Sequence, residues 1–403
     1  MTALLLAAVL AVQPADLRDA ESVTRLLASL RAADPAVCEL AGRALTNFGG
    51  WGGWNGDEPM PTPMPIPMPM PFAHRGPSIA VGGPRTRTMM SAPALGAFRA
   101  ALRDPSHCVR RIAARVVARE EPAWAVAEFT ALAKDAAAGY REMGLLGLGE
   151  LEDRATLGTI TNGLGDKDVA VRAMAAWALG ELELVESVPA LGRALADPAP
   201  LVRRRAAWAL GQVESASAVP LLRGALRDSD GDTRRTAVWA LGEIEDPSAV
   251  EALAPLMTDS DARVRRMAAW ALGEIESSRA VPVLAPLVRD ADRDVKLTAL
   301  WALGEIESSD GVATIAPALK DADAGVRRMA AWALGEIESA SAVRHVTPLL
   351  NDADADVRAV AAWALGSIES LSALPALEAA KDDRAPTVRR AVQWAIAQID
   401  DRR

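Results

Sequence analysis

The sequence predicts an all-α solenoid of about eleven helical hairpins, each 31 residues long. The main observation is a row of eight tryptophans separated by 31 residues: Trp177, Trp208, Trp239, Trp270, Trp301, Trp332, Trp363 and Trp394. A constant period of this size means that one supersecondary unit is stacked on copies of itself. Such units bind other molecules far more often than they catalyse reactions.

Each period contains two segments with helical hydrophobic spacing, which we call the long helix and the short helix. In one repeat they are residues 264–276 (VRRMAAWALGEIE) and 280–287 (AVPVLAPL). Pro282 fits the first turn of the short helix, and Asp290 and Asp292 supply the turn and cap before the next repeat. Two short helices joined by tight turns predict an αα-hairpin.

The period continues towards the N-terminus without its tryptophan. Leu146 occupies the Trp position within residues 140–152, and Arg115 occupies it within residues 109–115. A further copy, residues 37–45, precedes an insertion. The full array buries a continuous core, although no single hairpin could do so.

The repeat resembles the HEAT repeat, specifically the short HEAT-like class named after phycobilisome lyases and copied in designed alpha-repeat binders. The resemblance depends on the Val-Arg-x-x-Ala-Ala-x-Ala-Leu-Gly-x-Ile core and the Ala-Val-Pro-x-Leu helix that follows it. It implies a right-handed superhelix whose long helices line the concave side.

A second HEAT feature is an Asp in the turn six residues before a basic residue at the start of the long helix. The resemblance implies that these pairs form a structural ladder of charge-assisted hydrogen bonds, not acid/base sites. The pairs are Asp104/Arg110, Asp135/Arg141, Asp166/Arg172, Asp197/Arg203, Asp228/Arg234, Asp259/Arg265, Asp290/Lys296, Asp321/Arg327, Asp352/Arg358 and Asp383/Arg389. The first repeat has Ala32 and Cys38 at these places.

The sequence departs from the family at the end of the long helix. The usual Gly-Asp after the isoleucine is replaced by Glu-Ser, as at Glu276 and Ser277. This removes the favoured left-handed cap residue, so we expect the turn to close differently.

A glycine three residues after the Trp position costs roughly 1 kcal/mol inside a helix and therefore needs a reason. The glycine does not follow the tryptophan of its own repeat, because Gly149 accompanies Leu146 and Ala397 accompanies Trp394. Instead, the glycine is present where the next repeat has a tryptophan. We infer that each indole packs on the glycine of the preceding long helix.

The alternative interpretation of the tryptophans is a binding surface for a protein or peptide partner. Arg266, Trp270 and Glu274 stand one turn apart on one face of a helix, which places the arginine to stack on the indole. The same position is among those varied in the designed binders. The candidate partner-binding residues are Arg204, Trp208, Arg235, Trp239, Arg266, Trp270, Trp301, Arg328, Trp332 and Trp363.

Composition and motifs restrict the function. The net charge of −9 and the lack of a long basic run argue against nucleic acid as the main partner, and no segment is long enough to span a membrane. The histidines His74, His107 and His345 have no metal-ligand spacing. Deoxyhypusine hydroxylase is a HEAT-like enzyme, but that family binds iron through repeated His-Glu pairs, and none occurs in this sequence.

We therefore predict a non-catalytic interaction scaffold, or a regulatory or assembly subunit, that is monomeric, needs no cofactor and binds a protein partner on its concave face. The alternative from another class is a HEAT-like enzyme or lyase subunit.

The predicted organisation has four parts. Residues 1–15 are a candidate signal peptide, 16–47 a capping repeat, 48–92 a Gly/Trp/Met/Pro-rich disordered insertion and 93–403 the solenoid. The apolar stretch 3–12 favours export to the periplasm or the outside of the cell, although it lacks preceding positive charges. An apolar capping helix in a cytoplasmic protein is the alternative.

The insertion alternates proline with methionine, which precludes helix and sheet. We interpret it as a projecting linker, with a partner-docking motif as an alternative. A third hypothesis is a Cu(I) site, because thioether sulfurs are soft ligands. Its ligands would be Met60, Met64, Met68, Met70 and His74.

Cys38 and Cys108 lie near the starts of two long helices that should stack side by side. They are a candidate disulfide, which would close a loop of 70 residues. Two unpaired thiols are the alternative, because the two cysteines are offset by one place relative to Val37 and Val109.

Overall fold

The computed structural model describes residues 19–31, Cys38 and residues 90–401. The predicted signal segment 1–15 and residues 48–89 of the predicted insertion lie outside this part of the chain. The candidate Cu(I) ligands fall in the same undescribed stretch.

The described chain forms two compact units, and every regular element in them is helical. The first unit comprises residues 19–31, 38 and 90–218 of the described chain. Its long helices are α3, α5, α7 and α9, and each packs on the next in order. The helices are α1 (Ala20–Leu30), α2 (Ala92–Ala101), α3 (His107–Glu120), α4 (Pro122–Leu132), α5 (Ala138–Glu150), α6 (Leu157–Gly163), α7 (Val169–Glu181), α8 (Val188–Ala194) and α9 (Pro200–Gln212).

The second unit comprises residues 219–401 of the described chain, and its long helices α11 to α21, the odd-numbered ones, also stack in sequence order. The helices are α10 (Val219–Ala225), α11 (Gly231–Glu243), α12 (Val250–Leu253), α13 (Ala262–Glu274), α14 (Val281–Leu284), α15 (Arg293–Glu305), α16 (Gly311–Ile315), α17 (Ala324–Glu336), α18 (Val343–Val346), α19 (Ala355–Ser367), α20 (Leu374–Ala379) and α21 (Pro386–Asp401). Both units have the predicted α-solenoid architecture.

Four short helices of the second unit, α12, α14, α16 and α18, continue directly into 3₁₀ segments. After α14 the chain continues as a 3₁₀ segment, Ala285–Arg289, whose second residue is Pro286. Proline has no backbone N–H, so it cannot continue the α-helical bonding pattern and the helix shifts to the tighter form. The apolar positions read from the sequence form the core: Val264, Leu272 and Leu284 are fully buried.

The Asp–Arg ladder joins consecutive repeats. Arg265 donates from Nη1 to the carbonyl oxygen of Asp259, six residues earlier, at 2.7 Å. Its carboxylate partner is instead Asp290 of the next turn, which accepts from Nε and Nη2 at 2.7 and 2.9 Å. The expected residues are therefore correct, but the ion pair spans 25 residues and not six. The rungs are Arg141–Asp166, Arg172–Asp197, Arg234–Asp259, Arg265–Asp290, Lys296–Asp321, Arg327–Asp352 and Arg358–Asp383.

The same aspartates also order the turn. Asp290 accepts a hydrogen bond from the backbone N–H of Asp292 at 2.8 Å, and Asp292 caps α15 by accepting from Asp294 and Val295 at 2.9 and 3.1 Å. Each Asp-x-Asp turn thus satisfies the free N–H groups at the start of the long helix while holding the arginine of the previous repeat.

The inferred contact between indole and glycine is present. A Cβ atom added to Gly273 would lie 2.7 Å from Cζ3 of Trp301 and 3.0 Å from Cβ of Ala302, so no larger residue fits without a shift. The corresponding distance from Cζ3 is between 2.6 and 2.9 Å in all seven pairs that the two units contain. These pairs are Gly149–Trp177, Gly180–Trp208, Gly242–Trp270, Gly273–Trp301, Gly304–Trp332, Gly335–Trp363 and Gly366–Trp394.

The turn after each long helix from α5 to α19 closes in the left-handed way although glycine is absent, so the expectation of a different turn is wrong. Glu276 adopts a φ of 47° and donates its backbone N–H to the carbonyl oxygen of Gly273 at 3.0 Å. A non-glycine residue in this conformation is strained by about 1–2 kcal/mol. Eight glutamates share it, with φ between 47° and 52°: Glu152, Glu183, Glu214, Glu245, Glu276, Glu307, Glu338 and Glu369.

The first repeat joins the second by a different contact. Cys38 occupies the position of the ladder arginine, and the structure bonds it to Cys108 with the Cα atoms 5.6 Å apart. The offset in sequence therefore does not keep the side chains apart. Arg31 takes over the missing ion pair, donating to Asp104 from Nε and Nη2 at 3.0 and 2.9 Å.

We predict that Gly273→Val lowers the free energy of unfolding by about 1–3 kcal/mol, because the added methyl groups overlap Trp301. Gly224→Val is the matched control, since a Cβ at Gly224 meets nothing within 4 Å. Ala397→Val, at an exposed site on the last helix, should also be nearly neutral. Thermal unfolding followed by circular dichroism measures all three, and equal losses would disprove the contact model.

A second prediction concerns the left-handed glutamates. Glu276→Gly should raise the free energy of unfolding by about 1 kcal/mol, because glycine adopts a positive φ without strain. Glu276→Gln removes the charge but keeps the strained side chain, so its stability should rise less. Chemical denaturation measures the difference. A glycine variant no more stable than the glutamine variant would contradict the strain argument.

Candidate functional site

The candidate site is one face of the long helices in the second unit. Residues four apart on a helix lie one turn apart on the same face, so the spacing puts Arg266, Trp270 and Glu274 in one line along α13. All three are partly exposed. Because α11, α13, α15, α17 and α19 pack in order, their indoles form a row on this face. The full line recurs on α11 and α17, whereas Leu297 replaces the arginine on α15, and Ala359 and Ser367 replace the arginine and the glutamate on α19.

The structure gives the predicted partner-binding residues unequal access to solvent. Trp208, in the first unit, is only 4% exposed and Arg235 only 7%, so neither offers the surface that sequence reasoning assigned to it. Arg204, Arg266 and Arg328 are partly exposed. The partly exposed tryptophans are Trp239, Trp270, Trp301, Trp332 and Trp363. Packing on a glycine buries one edge of these indoles, and each of these residues stays partly exposed.

Arg266 and Arg328 do not stack on the indoles as expected. Arg266 pairs with Asp294 of the next long helix at 3.8 Å, and Arg328 pairs with Asp356 at 3.4 Å. A carboxylate within reach is a stronger partner than an exposed ring face, for which stacking contributes about 0.5–1 kcal/mol. The arginines of this face are thus matched by aspartates on the same face.

Sequence analysis placed Glu274 in one line with Trp270, but it missed that glutamates of successive helices form two rows at the end of the same face. The inner row consists of the last residues of four successive long helices: Glu243, Glu274, Glu305 and Glu336. The outer row consists of the left-handed residues two positions later: Glu245, Glu276, Glu307, Glu338 and Glu369. Their fixed spacing from each tryptophan was the available signal.

Each inner-row glutamate lies one helical turn after the tryptophan of its own helix. Burial raises the pKa of Glu274 and that of Glu336, and the indole N–H of Trp270 or Trp332 opposes part of this rise because it favours the charged carboxylate.

The fold disfavours the charged form of the inner-row glutamates. Burial is the largest cause that raises the pKa of Glu274, and repulsion from Glu243, Glu245 and Glu305 adds to it. Burial also raises the pKa of Glu336, with Glu305 the next largest cause. These carboxylates also stand at helix C-termini, where the helix dipole is negative and a cation would be stabilising.

The first unit has a shorter version of the row with one cation in it. Arg115 donates from Nε to Glu150 at 2.9 Å. Burial, followed by repulsion from Glu150, Glu152 and Glu183, raises the pKa of Glu181 to about 7. Gln212 occupies the equivalent position one repeat later.

The pKa shift has the opposite sign in the ladder at the other end of the long helices. There the Arg265 guanidinium holds the pKa of Asp290 below its usual value.

The described residues hold no group of three or more His, Cys, Asp or Glu side chains arranged to bind a metal ion. No helix in this part of the chain is both long enough and apolar enough to cross a bilayer. Export from the cytoplasm stays a prediction.

Comparison with known families identifies the fold. The family described as HEAT repeats matches overlapping segments that run from residue 126 to residue 403, more than half of the chain. The matched segments are 126–198, 157–235, 188–258, 219–296, 284–362 and 343–403. The chain belongs to the HEAT-repeat family. No curated protein matches it.

Three solved structures illustrate the similarity of this HEAT-repeat chain. An engineered protein is 22% identical, with a TM-score of 0.47, over 76% of this chain and 98% of its own. The complex of CpcE and CpcF of phycocyanin lyase from Nostoc sp. PCC7120 is 23% identical, with a TM-score of 0.35, over 62% and 95%. Human deoxyhypusine hydroxylase is 24% identical, with a TM-score of 0.29, over 61% and 96%. At these values the likeness has no bearing on activity or partner.

The buried carboxylates predict an unusual dependence of stability on pH. The folded-state pKa of Glu181, about 7, lies above its ordinary value of 4.5, so its contribution to stability is complete below pH 4.5 and is lost as the pH rises through 7. We predict that Glu181→Gln gains stability relative to the parent between pH 5 and 8, on the order of 2 kcal/mol.

Gln212→Glu is the matched opposite change, because it adds a carboxylate to the row on the helix that packs against α7. It should steepen the loss of stability with rising pH. Urea unfolding at a series of pH values measures both variants. Parallel pH profiles for the parent and the two variants would contradict the assignment of the repulsion to this row.

Proposed function

We propose that this HEAT-repeat chain is a non-catalytic scaffold, or a regulatory or assembly subunit, that binds a protein partner on the face of its long helices. The observation that carries the proposal is the row of partly exposed indoles on successive long helices of the second unit, accompanied by glutamates on α11, α13, α15 and α17 and by paired arginines on α13 and α17. The HEAT resemblance implies that this is the concave face.

Two properties of the face support binding. The indoles are held by the glycine contact, so they lose little side-chain freedom when a partner covers them. Aromatic and arginine side chains on a fixed backbone are also the residue types that most often contribute to protein interfaces. The carboxylates of the same face oppose a phosphate backbone, which supports a protein partner over a nucleic acid.

The polar contacts in the described chain support a role without catalysis. His107 lies 3.4 Å from Glu142 on the exposed surface, and His345 accepts a hydrogen bond from Arg344 at 3.1 Å. The regular carboxylates have structural partners: backbone N–H groups in the turns, arginines in the ladder and indoles on the face. A lyase-like or hydroxylase-like activity remains the alternative, and bound iron in the purified protein would favour it.

Site-specific photo-crosslinking tests the proposed face. A photoreactive residue at Asp294, whose side chain is 60% exposed on α15, should crosslink to one discrete partner in the native host. The same residue at Leu371, 57% exposed in the turn before a short helix, is the matched control and should not. Crosslinking only from position 371, or equally from both positions, would refute the proposal.

A further inference from the structure

The junction between the second and third repeats, where α3 packs on α5, differs from the junctions that follow it in the first unit. The glycine and the tryptophan of the indole contact are replaced there by Ala118 and Leu146. The left-handed turn is also replaced, because Glu121, which alone separates α3 from α4, has a φ of −137° and a ψ of 58°. Two repeated features of the solenoid are therefore altered at one place.

The ladder rung at this junction is not formed in the described chain. Arg110 donates from Nη1 to the carbonyl oxygens of Asp104 and Pro105 at 2.8 and 2.9 Å. Its Nε is buried without a hydrogen-bond partner, whereas the equivalent Nε atoms on α5 and α7 donate to the aspartate of the next turn at 2.7 Å. The aspartate that Arg110 would need, Asp135, is contacted instead by Arg103 at 3.4 Å. A buried donor without an acceptor is costly, so a favourable hydrogen bond is left unmade.

Two arginines compete for Asp135. The ring centroid of Tyr140, on α5, lies 5.5 Å from the guanidinium carbon of Arg110 and 5.7 Å from that of Arg103. The Tyr140 hydroxyl also donates to the carbonyl oxygen of Arg103 at 3.2 Å. These contacts favour the present arrangement, in which the Arg110 guanidinium is held by a ring and not by a carboxylate.

Packing divides the first unit into two bodies at this junction. On one side, the disulfide between Cys38 and Cys108 ties the first repeat to α3. On the other side, α4 lies deep against α5, since a Cβ atom added to Gly147 would lie 2.4 Å from the ring of Phe129. The indole contacts and the ladder rungs then join α5 to α7 and α9. Helices α1–α3 therefore form one body and helices α4–α9 the other.

The polar contacts between the two bodies are weakest at the N-terminal ends of α3 and α5. The Arg103 side chain is 53% exposed, and that of His107, which lies 3.4 Å from Glu142, is 51% exposed. The buried pair of Arg115 and Glu150, at 2.9 Å, crosses the junction towards the C-terminal ends of the two helices. The N-terminal ends can therefore separate while the C-terminal ends stay in contact.

We propose that helices α1–α3 pivot on helices α4–α9 about Glu121, so that the first unit has two arrangements. In the present arrangement Asp135 is held by Arg103. In the other, Arg110 donates to Asp135 and completes the rung, at the expense of the contacts with Tyr140. A hinge of this size is sufficient, because a few residues at the ends of helices absorb the backbone change in such movements. Since each arrangement makes contacts that the other loses, both are populated.

Distance distributions between pairs of spin labels on the full, disulfide-bonded chain test the pivot. Labels at Gly96→Cys on α2 and Gly158→Cys on α6 span the junction, and a Cβ atom at either glycine meets nothing within 4 Å. Labels at Ala127→Cys on α4 and Pro189→Cys on α8 are also two repeats apart and exposed, but both lie on the same body. We expect two distances for the first pair and one for the second. A single distance of equal width for both pairs would overturn the proposal.

Two opposite variants test whether the rung defines the second arrangement. Arg103→Gln frees Asp135 and should raise the population of one distance about threefold, whereas Asp135→Asn should lower the same population about threefold. The asparagine keeps an oxygen that can accept from the N–H of Ala137, as Asp135 does. Asp166→Asn removes a formed rung and, as the matched control, should leave the distribution unchanged. Shifts in the same direction, no shift, or an equal shift in the control would refute the role of the rung.

Installing the missing contact should close the hinge. Ala118→Gly together with Leu146→Trp supplies the glycine and the indole that the later junctions have. The double variant should reduce the spanning pair to one distance and slow hydrogen exchange in α3 about tenfold. Leu146→Trp alone has no glycine to pack on and should not do so. A folded double variant with the distribution of the parent would overturn the proposal, and if the double variant does not fold, the rung variants decide.

Discussion

The contact between an indole and the glycine of the preceding long helix is the constraint on which the rest of this structure depends. It brings one helix backbone against the next, because a Cβ atom added to Gly273 would lie only 3.1 Å from the Cα atom of Ala302. The close packing of successive long helices therefore depends on one pair of residues in each repeat.

The charged groups at the two ends of each long helix have opposite effects on stability. At the N-terminal end, an aspartate receives backbone N–H groups and the arginine of the previous repeat, so charge, dipole and hydrogen bonds agree. At the C-terminal end, a glutamate faces other glutamates and the negative end of the dipole, and the left-handed residue that follows is strained. Only the C-terminal end is destabilised in this way, and that is the end nearer the partly exposed indoles. Local rules are broken most often where a surface has a task other than folding.

The sequence alone predicted the helices and the glycine contact. The helices followed from the hydrophobic periodicity, and the contact followed from the correlation between glycines such as Gly149 and the tryptophan of the next repeat, Trp177. It did not predict which carboxylate each ladder arginine binds. Arg265 is close in sequence to Asp259, but its extended guanidinium reaches the aspartate in the turn of the next repeat. The left-handed Glu276 was missed because propensity alone disfavours it. The repulsion between glutamates of neighbouring helices was missed, although Glu274 itself was placed on the face, because these carboxylates come close only when the helices stand side by side. Pairing of Cys38 with Cys108 depended on side-chain directions that a one-place offset in sequence does not determine.

The face combines a repeated part with a variable part. Trp270, Trp301 and Trp332 each pack on a glycine of the preceding long helix, so the indoles keep one spacing along the row. The residue one turn before each indole differs, being Arg266, Leu297 and Arg328 in turn. The glycine contact thus holds the backbone spacing constant while the side chains beside the indoles vary. A partner that distinguishes one repeat from the next would do so through these variable positions, because the repeated ones carry no information about which repeat is contacted.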